Sequence, residues 1–253
     1  MAGSELRNGV IEARGLHKIF ELPFQYGTLK ALVISGANRK PEVVHALRGV
    51  DLTVAAGEAV ALLGRNGSGK STLLSLVGHI YEPTEGDLTV GGRVAPLLEL
   101  GAGFHPDLTG VENIELNGVI LGLTRKQVAE RLDAIIEFAE LREKIGVPLR
   151  TYSSGMQTRL GFSVAVHTDA DILVVDEVLA VGDEAFQEKC FARIEELKRS
   201  GRTILFVSHE MTDVLRVATR VVWLKDGRVH MDGAPEPVVQ RYLEEAHGQP
   251  AAP

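Results

Sequence analysis

The chain has 253 residues, a formal net charge of −7, 45% hydrophobic residues and a single cysteine. That length can bury a large core, while the acidic balance and the lack of a long Lys/Arg block argue against nucleic acid as a partner. The lone Cys190 rules out a disulfide framework and a cysteine-based zinc site. No run approaches the roughly 18 apolar residues that span a bilayer, so work at a membrane needs a spanning partner.

In chain order, Val10 to Leu16 reads as a strand leading to Lys18-Ile19-Phe20, and Ala46 to Val54 as a second strand. Residues 21 to 44 carry Pro, Gly and Asn without periodicity and read as a loop or irregular insertion. The apolar run Ala59-Val60-Ala61-Leu62-Leu63 then enters Gly64-Arg65-Asn66-Gly67-Ser68-Gly69-Lys70-Ser71-Thr72, which fits G-x-x-x-x-G-K-[ST]. Glycines let such a loop curl its N–H groups inward around a phosphate, and the helix that opens at its end adds a positive dipole. Lys70 then reaches the β- and γ-phosphates, and the Ser71 hydroxyl ligates Mg²⁺.

Further on, Glu85-Gly86-Asp87 and Gly91-Gly92 bracket a short strand, as hairpin turns would. Thr109-Gly110-Val111-Glu112 and Thr124-Arg125-Lys126-Gln127 are capping boxes, and each opens a helix. Residues from about 100 to 165 therefore read as a helical subdomain inserted into an α/β core. Buried strands return at Ile172 to Val175 and at Thr203 to Val207, with a helix from about 183 to 199 between them, and Val221 to His230 reads as a hairpin about Lys225-Asp226-Gly227. The tail from His247 to Pro253 reads as disordered.

The strand ending in Asp176-Glu177 supplies carboxylates to the carboxyl edge of a parallel sheet. Asp176 is placed to bind Mg²⁺ directly or through water, and Glu177 to contact an attacking water. His209 follows the next strand, on the same edge, and is placed to donate to a γ-phosphate or to hold that water in line.

Together these residues resemble the ATP-binding cassette ATPases of ABC transporters, over nearly the whole chain. The resemblance implies a P-loop ATPase core of α/β class, with an antiparallel β subdomain and an inserted helical subdomain, over residues 1 to 247. Gly64 to Thr72 looks like Walker A, Ile172 to Glu177 like Walker B with its catalytic glutamate, and His209 like the switch histidine. Asp183 stands at the D-loop aspartate. Phe20 is the candidate for stacking adenine, with Tyr26 or a plain core role for Phe20 as the alternatives. The signature appears as Tyr152-Ser153-Ser154-Gly155-Met156, so Ser153, Ser154 and Gly155 would act in trans on a second copy's ATP, or Ser153 serves only as a helix cap. No glutamine follows the strand after the hairpin, and Glu99 is the nearest polar candidate for Mg²⁺ or for the transporter contact.

The phrases LLELGAGFHPDLTG and DEVLAVGDEAF are similar to the polysaccharide-export branch, and the length resembles its short type without a C-terminal carbohydrate-binding domain, or a truncated longer member. That resemblance implies a homodimer working with an integral membrane permease, two copies of it, at the cytoplasmic face of the bacterial inner membrane. Residues 96 to 125 would dock the permease, and no nucleic acid would take part. Three rivals stay open: the same engine on a permease for another substrate, a soluble ABC-type ATPase of translation or DNA repair, and a non-catalytic module that uses nucleotide as a switch.

Overall fold

A computed structural model describes residues 8–22, 42–98, 101, 103–176 and 182–248. Its centre is a six-stranded sheet in the order β5-β6-β7-β3-β8-β9. The strands are β3 (Ala59–Leu63), β5 (Val94–Leu97), β6 (Ile172–Asp176), β7 (Thr203–Val207), β8 (Arg220–Lys225) and β9 (Arg228–Gly233). All pair parallel except β8 with β9. Parallel strands covered on both faces read as continuous apolar runs, and β3 and β7 are buried at every position.

Alternate residues serve two cores. Ala59, Ala61 and Leu63 of β3 point to one, with Leu173, Val175, Ile204 and Phe206 beside them; Val60 and Leu62 point to the other, with Ile172, Val174, Leu205 and Val207. The first face is covered by α4 (Ser154–Val166), α5 (Glu184–Arg199), α6 (Met211–Val217) and α7 (Pro235–Gly248). The second is covered by α1 (Lys70–Val77) and by a three-stranded antiparallel sheet, β2-β1-β4, of β1 (Ile11–Leu22), β2 (Glu42–Val54) and β4 (Glu85–Val90). A third cluster joins α2 (Gly110–Ile120), α3 (Arg125–Ala139) and α4 around Ile114, Ile135 and Leu160. Both expected capping boxes are formed, at Thr109 with Glu112 and at Thr124 with Gln127. Asn113, fully buried, ties down the approach to α2, its amide donating to the carbonyls of His105, Leu108 and Thr109 and accepting from the His105 N–H.

Three expectations are corrected. Glu85-Gly86-Asp87 is not a turn, because these residues lie within β4, which pairs with β1 in a different sheet from β5. Gly86, at φ 84°, lets the two strands close up: a Cβ there would lie 2.2 Å from the Gly15 carbonyl oxygen, beside the register shift between Arg14 and His17. Of the residues 21 to 44 expected as a loop, Glu21 and Leu22 belong to β1 and Glu42 to Val44 to β2; residues 23 to 41 lie outside the described residues. Finally, α7 extends to Gly248, so the helix continues where the tail was expected to begin.

Candidate functional site

The register across three strands builds the site. Asp176 of β6 stands opposite Val207 of β7, which stands opposite Leu62 of β3, all at the carboxyl edge of the sheet. With strands about 4.8 Å apart, the Asp176 strand lies only about 10 Å from the strand that feeds the glycine-rich loop. The turn after β7, with Ser208 buried and His209 exposed, opens between them.

The loop itself is shaped by contacts that admit no side chain. A Cβ on Gly64 would lie 2.3 Å from the Leu224 carbonyl oxygen and 2.4 Å from Ser68 Oγ, and one on Gly69 would lie 2.7 Å from the Ala46 carbonyl oxygen. Gly69, at φ 104°, begins α1, whose head carries no side-chain cap and no acidic residue. By contrast α2, α3, α4 and α5 each begin with a capping side chain. The N–H groups at the head of α1 are thus left to an anion. Lys70, 7% exposed, folds back over the loop, its ammonium donating to the carbonyls of Gly64 at 2.7 Å and Arg65 at 3.2 Å. Arg65, Asn66, Gly67 and Ser71 are exposed at this mouth, and Thr72 is half-buried.

Among the described residues, three buried side-chain atoms have no hydrogen-bond partner, and two of them, Ser68 Oγ and Asp176 Oδ1, lie at this edge; the third is Arg193 Nε. A buried carboxylate oxygen on a half-buried aspartate, satisfied by none of the described residues, suits a hydrated cation at the mouth of a phosphate loop, so this donor set fits Mg²⁺ with a nucleotide. Glu177 and Glu99 lie outside the described residues.

Phe20 is half-buried at the far end of β1. Its ring meets Tyr81 edge-on at 5.3 Å, and the Lys18 ammonium stands 5.1 Å from one ring centre and 5.4 Å from the other. Strand pairing sets Phe20 opposite Val44 and Lys18 opposite Leu47, whose side chain abuts Gly69. The aromatic pair thus sits beside the segment that follows α1, while the strand partner of Lys18 touches the phosphate loop.

The Ser153, Ser154 and Gly155 turn is exposed at the head of α4. Ser153 Oγ accepts the Met156 N–H at 3.2 Å, a cap that leaves its O–H free to donate elsewhere. Tyr152 is buried with its hydroxyl donating to the Lys144 carbonyl, and so anchors this turn to the helical cluster. Asp183 caps α5 through the Phe186 N–H and also accepts from Arg159. Sequence reasoning missed Arg159, although a lone cation in the otherwise uncharged segment SGMQTRLGFSVAV was a visible signal.

A parallel sheet with a glycine loop and an acidic strand end on one edge defines a P-loop nucleoside-triphosphate-binding protein. The family model for ABC transporters matches residues 47–180. The chain belongs to that family, as its ATP-binding and ATP-hydrolysing cassette. It is similar to the O-antigen export system ATP-binding protein RfbB of Klebsiella pneumoniae, 56% identical over 199 residues that cover 79% of this chain and 81% of that one. The Myxococcus xanthus protein of the same name is 52% identical over 82% of this chain, which spans 47% of that relative. The teichoic acids export ATP-binding protein TagH of Shouchella clausii is 39% identical over 85% of this chain and 59% of its own length. Among solved structures, a dimeric ATP-binding cassette in a post-hydrolysis state with ADP and Pi matches with a TM-score of 0.73 at 22% identity, covering 89% of this chain and 99% of that one. No described helix is long and apolar enough to cross a membrane.

Proposed function

We propose that this cassette powers the export of a cell-surface polysaccharide, working as a homodimer bound to an integral membrane permease, two copies of it, on the cytoplasmic face of the bacterial inner membrane. The names of its relatives, O-antigen and teichoic acid exporters, support the substrate class. The chemistry rests on one observation above all: Asp176, with its unpartnered oxygen, shares a sheet edge with the uncapped head of α1.

Bound Mg²⁺ and ATP supply an activated γ-phosphoryl group. Ser71 and Asp176 would hold the metal. Lys70 exchanges its two loop carbonyls for phosphate oxygens, and the glycine loop wraps the β-phosphate with its N–H groups. Glu177 takes the proton of the water that attacks the γ-phosphorus, His209 keeps that water and the γ-phosphate aligned, and the bond from the γ-phosphorus to the bridging oxygen breaks, releasing ADP and inorganic phosphate. Phe20, braced by Tyr81, offers its ring to the base. The Ser153 turn of each protomer donates to the nucleotide of the other, so ATP closes the pair and hydrolysis reopens it. The helical subdomain and the segment from 96 to 125 carry this motion to the permease.

Phosphate release from the purified cassette with its membrane subunit tests the assignment. Glu177→Gln should lower turnover by about 10² or more while ATP still binds; turnover within twofold of the unchanged protein would remove Glu177 from that role. Glycan that co-purifies with the complex identifies the cargo, and a complex exporting a different class of molecule would overturn the substrate class.

A further inference from the structure

We propose that Arg159 is a positioning residue that locks the Ser153 turn and the Asp183 turn into one moving unit, so that engagement of one protomer's turn with its neighbour's nucleotide is felt at its own Asp176 edge. This rests on the dimeric ATPase assigned above.

The guanidinium is held on three sides. One nitrogen donates to Asp183 at 2.8 Å, another to Glu140 at 3.0 Å, and its carbon stands 4.7 Å over the Phe186 ring. The side chain is 19% exposed. Gly182 leaves room for it, since a Cβ there would lie 3.2 Å from Arg159 Nε. Glu140 ends α3 in a left-handed conformation and is also gripped by Lys189 of α5, whose ammonium donates to the Phe138 carbonyl as well. Arg159 therefore joins the end of α3 and the body of α4 to the head of α5. It lies less than two turns beyond Ser153, so a shift of that turn is a shift of Arg159. Asp183 in turn caps α5, the helix reached from the end of β6. The fork geometry of arginine makes the link directional, because both carboxylates are held in fixed planes by one planar group.

A residue that merely supported the fold would lower stability in proportion to activity. A coupling residue makes a different pattern. Arg159→Gln should cut kcat for ATP at least about tenfold while KM for ATP changes less than about twofold, because Arg159 does not line its own phosphate loop. Asp183→Asn keeps the cap on Phe186 and removes the charge, and should reproduce the same split. The double variant should be no worse than either single one, since both cut the same link. Melting curves run alongside, and if Arg159→Gln fails to fold, Asp183→Asn carries the test alone. Single variants with normal kcat, or losses that multiply in the double variant, would overturn the proposal. A parent protein that releases no phosphate from ATP at all would instead overturn the ATPase assignment.

Discussion

At the scale of single residues, the phosphate loop is governed by what cannot fit. Gly64 sits at φ 148°, and any Cβ there would strike the Leu224 carbonyl and the buried Ser68 hydroxyl. Gly64→Ala is expected to destabilise the fold by about 2–4 kcal/mol, from backbone strain plus displacement of a strand end. Thermal denaturation checks this, and a variant as stable as the parent would mean that the loop relaxes freely. Gly67 differs, for a Cβ there meets no atom within 4 Å, so its φ of 80° alone restrains it. Lys70 is intelligible on the same grounds: a nearly buried ammonium that holds two carbonyls is a charge kept in readiness for an anion.

At the scale of elements, the junction of α3, α4 and the following turn carries a pH response. His167 ends α4 with Nδ1 2.7 Å from the Ser163 carbonyl and its ring edge-on to Phe138 at 5.5 Å. Burial holds this imidazole below its ordinary value of 6.5, with nearby Arg193 and Arg131 acting in the same direction and the Ser163 bond against it. The folded state thus prefers the neutral ring. Stability from this group is present above about pH 6.5, where the unfolded chain is neutral too, and is lost as pH falls toward and through the lower folded value. His167→Gln should therefore flatten the decline in melting temperature between pH 7.5 and 5.5, and parallel curves for the two proteins would remove His167 as a cause.

Elements also mark how far the sequence could be read. The phosphate loop, the two threonine capping boxes, the acidic end of β6 and the β8–β9 turn, with Asp226 and Gly227 both at positive φ, are local patterns that depend on a few adjacent residues. Strand partners are not local. β1 breaks its alternation at three register shifts against β2, so its apolar period fades after Leu16 and its true length was hidden. Gly86 resembled a turn residue because close strand approach and chain reversal both call for glycine. The Arg159 link joins residues that are neighbours only once three helices have packed. Glu177 and Glu99, read from sequence, stand on pattern and resemblance alone.

At the scale of the whole molecule, a ligand that binds only the folded, paired state should report on both. The Glu177→Gln protein with Mg²⁺ and ATP is expected to shift from monomer toward dimer in light scattering, and to melt at a higher temperature. Binding at 100 times the dissociation constant contributes about 2.7 kcal/mol per site. Removing Mg²⁺ with a chelator should reverse both effects. An assembly state indifferent to nucleotide would contradict a pair joined through its ATP.

The alternating allegiance of the central strands has a consequence for changes in chain length. Losing one residue inside β3 would transpose its alanines and its larger side chains between the two cores. It would also retract the start of the nucleotide loop by about 3.3 Å, past its neighbours on β7 and β8. Deletions there should be far less forgiving than substitutions, and tolerated indels are expected to gather in the connections between strands.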